Sequence, residues 1–158
     1  MDTLHPRLSP RSDEATDCII ATCASLPGLD PDDWTLARAL KAVGVHVTAA
    51  VWNDPAVDWA RAHVCVIRST WDYHKDPTSF VQWVSAASAS THLLNPADVI
   101  RWNSHKFYLR DLENHGIPVV PTVWLERGGP VELNELLDGE AWLEAVIKPA
   151  YGASADGC

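Results

Sequence analysis

The stretch that decides the fold is residues 17–51, DCIIATCASLPGLDPDDWTLARALKAVGVHVTAAV. Its opening CIIATC (18–23) is a short apolar run of the kind that forms a buried parallel strand. Residues 26–33 are rich in turn formers, with Pro27, Gly28 and Pro31. Asp32 or Asp33 is expected to cap a following helix, whose inner face would carry Trp34, Ala37, Leu40 and Val43 at three- and four-residue spacings. Gly44 is placed to end that helix, because glycine enters the left-handed conformation without a side-chain penalty. Val45, Val47, Ala49 and Val51 then alternate as a second strand.

Working outward, VCVI (64–67) reads as a third strand. Strand, helix, strand, short crossover and strand in this order predict an α/β unit with a mostly parallel sheet. Asp76 and Pro77 supply a cap and a first-turn proline for another helix, with Phe80, Val81, Val84 and Ala87 facing inward. An extended stretch follows at 92–96. From residue 97 the organisation changes. Asn103 or Ser104 is expected to cap a helix carrying Phe107, Leu109 and Leu112, with Lys106 and Arg110, ended by Gly116. IPVVPTVWL (117–125) is proline-interrupted, which favours an edge strand or a strand entrance. A short helix is expected at 132–137, a last strand at AVIK (145–148), and a small-residue loop at YGASADG (151–157).

The 158 residues are 47% hydrophobic, enough for a folded core, and carry a net charge of -9. That balance argues against a general nucleic-acid surface, which needs clustered Lys and Arg. No apolar run is long enough to span a membrane. Residues 1–16 are polar, contain Pro6 and Pro10 and show no signal-peptide core, so they read as a flexible lead-in to a cytoplasmic protein. Cys18, Cys23, Cys65 and Cys158 match no zinc spacing, and buried thiols are the expectation.

Two places could carry chemistry. RSTWDY (68–73) follows the third strand directly, and ligands of open parallel sheets sit beyond the carboxyl ends of strands. A cation, two hydroxyls, an aromatic ring and a carboxylate there could clamp an anionic or zwitterionic small molecule. The competing reading is a structural turn, with Asp72 capping backbone and Trp71 packed as core. Lys148, beside a loop of small residues, puts an ammonium near backbone N–H groups able to cradle phosphate; the competing reading is a solvated lysine. Lys106 alone reads as a surface charge, and Asp32 and Asp33 as caps rather than a metal pair.

The blocks RSTWDY, NPADVIRWNSHKFYLRDLENHGIPVVPT and VIKPAYGASADG, in that order, resemble the glutathione-synthetase-like ATP-grasp ligases, in the branch that includes the O-ureido-serine cyclo-ligases. The resemblance implies a Rossmann-like pre-ATP-grasp domain with a parallel sheet over residues 17–96. The incomplete start of an ATP-grasp domain would follow over 97–158, truncated in the glycine-rich loop. It implies that Lys106 and Lys148 hold the phosphates of ATP, with Gly152, Ala153, Ser154 and Gly157 in the flap above them. Arg68, Ser69, Thr70 and Asp72 would lie on the side of an amino-acid-like substrate. ATP and Mg²⁺ are the implied cofactors, with the Mg²⁺ ligands expected beyond the flap, so the chain itself is expected to be inactive. The implied reaction passes through an acylphosphate to an amide. Self-association through the incomplete second domain is expected, without nucleic-acid or membrane partners. The alternative is a non-catalytic α/β remnant, or a module that binds a partner or a small molecule.

Overall fold

A computed structural model describes residues 17–153; residues 1–16 and 154–158, with the expectations for Ser154, Gly157 and Cys158, lie outside it. Four strands form one parallel sheet: β1 (Asp17–Thr22), β2 (His46–Val51), β3 (Val64–Ile67) and β4 (His92–Leu94), in the spatial order β2-β1-β3-β4. Cys18 pairs with Val47 on one side and Val64 on the other, so β1 is central. This is the α/β sheet that the apolar runs predict.

Helix α1 (Pro31–Ala42) covers one face and α2 (Pro77–Ser90) the other. Alternation along the strands feeds both cores: Cys18, Ile20 and Val47 pack towards Leu36, Ala37 and Leu40 of α1. Ala21, Cys65 and Leu93 pack towards Phe80, Val84 and Ala87 of α2. Asp76 caps α2 by accepting from the Ser79 amide at 3.0 Å, and Pro77 opens it, as expected.

Helix α1 departs from expectation at its start and on its face. Asp30, not Asp32 or Asp33, is the cap: its carboxylate accepts from the Asp32 amide at 2.9 Å, and Pro31 takes the first helical position. Proline fits there because the missing N–H has no intrahelical partner to lose. Trp34 and Val43 are 50% and 77% exposed, and the inward stripe is Asp33, Leu36, Ala37 and Leu40. The end is as expected. Gly44 (φ +86°) lets its own N–H reach the Lys41 carbonyl at 3.1 Å and the Val45 N–H reach Leu40 at 3.0 Å. That is the paired-bond ending that needs a left-handed residue.

Beyond β4 the expectations need correcting in three places. A helix, α3 (Ala97–Asn103), precedes the residues expected to start one, and Ser104 ends it by donating its N–H to the Ile100 carbonyl at 2.9 Å. A break at 104–107 separates it from α4 (Tyr108–Asn114). Ile100 is buried in the α2-side core, so α3 packs with the sheet unit. Gly116 (φ +75°) ends α4 as Gly44 ends α1. Residues 117–125 and 145–148 form no strand; the described part after α4 holds one further helix, α5 (Leu133–Gly139). A strand exists only through a neighbour's backbone, and these segments have none among the described residues. No helix among the described residues is long and apolar enough to cross a membrane.

Cys18, Cys23 and Cys65 are buried free thiols. Burial pushes the Cys65 thiol up from 9.0 to about 12, and the Cys18 thiol beside it adds to the rise. The folded protein therefore keeps a proton that the unfolded chain releases above pH 9. The stability this group contributes is complete below pH 9 and is lost as pH climbs towards 12. We expect a fall of about 1.4 kcal/mol per pH unit from this thiol across that window. Urea unfolding between pH 8 and 11 should show a shallower alkaline limb for Cys65→Ala than for the parent chain.

Candidate functional site

The chain leaves β1 for β2 on one side and returns across it to β3, so the loops after β1 and β3 diverge. Crevices at such switch points are where open α/β sheets bind ligands. The loop after β1 is pinned: Thr22 donates its hydroxyl to the Leu26 carbonyl at 2.8 Å, and the Trp34 indole N–H donates to the Gly28 carbonyl at 3.0 Å. Between them Leu29 sits at φ +73° with its side chain packed on the α1-side core. A non-glycine residue persists there only when its surroundings hold it, at a cost of order 1 kcal/mol.

The strap after β3 begins as a continuation of the ladder, with the Arg68 N–H donating to the Ala21 carbonyl at 3.2 Å. It then turns: Thr70 N–H donates to the Arg68 carbonyl at 2.9 Å and Tyr73 N–H to the Thr70 carbonyl at 3.1 Å. Across the crevice stands Asp33 at the third position of α1. One carboxylate oxygen accepts from Arg68 Nε at 2.6 Å and the other from the Ser69 hydroxyl at 2.5 Å. Asp33 is 2% exposed, whereas the Arg68 side chain is 46% exposed. The first turn of a helix favours a negative charge, so α1 itself supports the carboxylate.

Asp30, Asp32, Asp33, Arg68, Ser69 and Trp71 line a cavity of about 170 Å³. Such a volume suits a small metabolite, below the roughly 300–1,000 Å³ filled by drug-sized ligands. Of the four residues expected on the substrate side, Arg68 and Ser69 meet here. Thr70 is buried, and Asp72 turns to the other face, where it accepts from the Trp52 indole N–H at 2.7 Å. Trp71, weighed as core, is half exposed and forms a wall.

The second cluster gathers around residue 106. Lys106 donates through Nζ to the Pro149 carbonyl at 2.8 Å and the Gly152 carbonyl at 3.3 Å, and its N–H donates to Ala150 at 2.9 Å. A side chain at Gly152 would meet Pro149 Cγ at 2.9 Å and Lys106 Nζ at 3.1 Å, so any larger residue would displace the Pro149 ring and the Lys106 ammonium. Tyr151 stands edge-on to His105 with ring centroids 4.6 Å apart. Tyr73 ties this cluster to the strap: its hydroxyl lies 3.5 Å from the Ser104 carbonyl and 3.4 Å from that of Gly152. Burial, with Tyr108 and Tyr151 nearby, raises the Tyr73 hydroxyl above its ordinary range, so it stays a donor. Lys148 is exposed, and Ala153 is half-buried at the end of the described chain.

Residue-by-residue reading missed Asp33 as a partner of the strap, because Arg68 lies 35 positions away. The local signal was present in Asp30-Pro31, which marks the true cap and releases Asp33 for another use. Among the described residues no group of three or more His, Cys, Asp or Glu could hold a metal ion.

Residues 18–95 match the family described as D-cycloserine synthetase DcsG, N-terminal domain. The cycloserine biosynthesis protein DcsG of Streptomyces lavendulae is 34% identical over 110 residues, covering 70% of this chain and 36% of that protein. The crystal structure of D-cycloserine synthetase DcsG matches with a TM-score of 0.75 and 31% identity, over 87% of this chain and 47% of that one. The chain thus spans less than half the length of these relatives.

Proposed function

We propose, from the premise that residues 18–95 form a domain of the DcsG N-terminal type, that the chain is the substrate-side part of an ATP-dependent carboxylate–amine ligase. The observation that carries this reading is the Asp33-braced Arg68 in a small pocket at the sheet's switch point. In the proposed chemistry a substrate carboxylate oxygen bonds to the γ-phosphorus of ATP as the bond to ADP breaks. An amine nitrogen then bonds to the acyl carbon, phosphate departs with the electron pair, and the nitrogen loses a proton. Arg68 and Ser69 would orient the substrate. Lys148, and Lys106 once freed from the Pro149 and Gly152 carbonyls, would neutralise the polyphosphate, an electrostatic task that matters most where water is excluded. The described residues do not make a Mg²⁺ site.

A second reading, a small-molecule binding module without turnover, draws on the same Lys106, whose ammonium is already taken up by two carbonyls. ³¹P spectra of ATP titrated with the chain separate the two. The ligase reading expects broadening of the phosphate lines that Lys148→Ala removes. Sharp, unshifted lines at excess protein would favour the binding module.

A further inference from the structure

We propose that residues 149–152 cap the Lys106 ammonium with their own carbonyl oxygens, so that the loop must let go of Lys106 before a phosphate can take it. This rests on the reading of Lys106 as a nucleotide lysine and adds how that residue is regulated. Three consecutive residues in the break between α3 and α4 each take a partner from the distal segment. His105 meets the Tyr151 ring edge-on at 4.6 Å, and Phe107 meets Trp124 at 5.0 Å. Lys106, between them, grips the loop with both side chain and backbone. Its Nζ donates to the Pro149 and Gly152 carbonyls at 2.8 and 3.3 Å, and its N–H to the Ala150 carbonyl at 2.9 Å. Ser104, two residues earlier, is buried and closes α3, whose Ile100 lies in the α2-side core. The latch is therefore anchored on the sheet unit, and the loop is the part that leaves.

The chemistry of the converging groups makes this a cap and not an anion cradle. Backbone cradles hold a phosphate by N–H groups aimed at its oxygens. Around the Lys106 ammonium the loop aims carbonyl oxygens instead, and two of the three N–H donors of that ammonium are spent on them. An anion arriving on this side has to displace those oxygens or lie against them. The fit is also tight. A Cβ at Gly152 would stand 3.1 Å from Nζ and 2.9 Å from Pro149 Cγ, so a methyl group there pushes the ammonium off its seat. Tyr73 adds a weaker hold, its hydroxyl 3.4 Å from the same Gly152 carbonyl. A site that is competent in a fraction of the molecules binds its ligand more weakly by that fraction, so loosening the cap strengthens anion binding.

The test joins hydrogen exchange of the residue 106 amide, which reads loop docking through its Ala150 acceptor, to calorimetric titration with inorganic tripolyphosphate. Gly152→Ala should lower the protection of that amide. The Leu109 and Arg110 amides, whose acceptors are the Lys106 and Phe107 carbonyls, should stay as protected as in the parent. The same variant should bind tripolyphosphate about fivefold more tightly than the parent, the size of one partly exposed charge-assisted contact. Lys106→Met, which removes the ammonium and leaves Lys148 in place, should lower the same protection and show no such gain. Lower protection with unchanged or weaker tripolyphosphate binding in Gly152→Ala overturns the cap and makes the loop part of the anion site, with the ligase reading intact. Unchanged protection in both variants overturns it as well, because the loop would then be seated without the Lys106 side chain. Absence of tripolyphosphate binding to all three chains overturns the nucleotide reading of Lys106 and the cap together.

Discussion

Arg68→Ala is expected to destabilise the folded chain more than Asp33→Ala, although the two remove opposite ends of one ion pair. The reason is where the surviving charge is left. Without Arg68, the Asp33 carboxylate, 2% exposed in the parent chain, keeps the Ser69 hydroxyl as its remaining side-chain donor. Stripping one partner from a fully buried pair costs about 3–5 kcal/mol; this pair is buried at the Asp33 end alone, so the survivor recovers part of its water through the cavity it lines. Here the N-terminus of α1 offsets part of this, by roughly 0.3–1 kcal/mol, so the lower half of that range is expected. Without Asp33, by contrast, Arg68 is already 46% exposed and simply rehydrates. What remains is the buried Ser69 hydroxyl without its acceptor, worth about 1–3 kcal/mol. Urea unfolding at neutral pH of both variants and the double variant gives the order and the coupling. If Asp33→Ala proved the more damaging, the carboxylate would not be the desolvated member and the brace would need another account.

The pair also shows how far a sequence carries and where it stops. The strands were readable because a fully buried parallel strand has to be apolar along its length, and CIIATC and VCVI satisfy that with no tertiary information. Asp76-Pro77 announced α2 by the same chemistry with which Asp30-Pro31 announces α1, yet the tandem acids at 32 and 33 drew the cap two or three residues too far. The face of α1 was misplaced for a related reason. An aspartate on the buried stripe hides it from a hydrophobic count, and Trp34, larger and apolar, takes its place in the pattern. Its actual role is at the surface, where its indole N–H holds Gly28. The AVIK run and residues 117–125 have strand composition, but composition cannot supply a hydrogen-bonded neighbour. The candidate site was half legible. Its position at the end of β3 follows from topology rules, whereas its depth depends on a contact between residues 33 and 68 that no local pattern encodes.

Trp52→Ala should be the other large loss, about 3–5 kcal/mol, the range for truncating a buried aromatic residue. Trp52 is 4% exposed just beyond β2, and its N–H extends the pairing with β1 by donating to the Thr22 carbonyl at 2.9 Å. Its ring meets Phe80 edge-on at 5.2 Å and Trp83 at 6.0 Å, so its removal opens a cavity between sheet and α2. The indole also has a second role. Its N–H holds Asp72, and Asp72 sits in the middle of the strap that carries Arg68 and Ser69 on one side and Tyr73 on the other. Trp52→Phe separates the two effects, keeping most of the ring packing while removing the donor. A hydrogen bond to a charged acceptor contributes about 1.5–3 kcal/mol, and Asp72, being half-buried, recovers some of it from water. Phe should therefore cost clearly less than Ala in unfolding free energy. In hydrogen exchange it should nonetheless speed the Thr70 and Tyr73 amides, whose acceptors are the strap's own carbonyls, while the amides of β1 keep their protection. If those two amides exchanged as slowly in Trp52→Phe as in the parent, the strap would be held by its turns alone. Asp72 would then be a consequence of its position and not its cause.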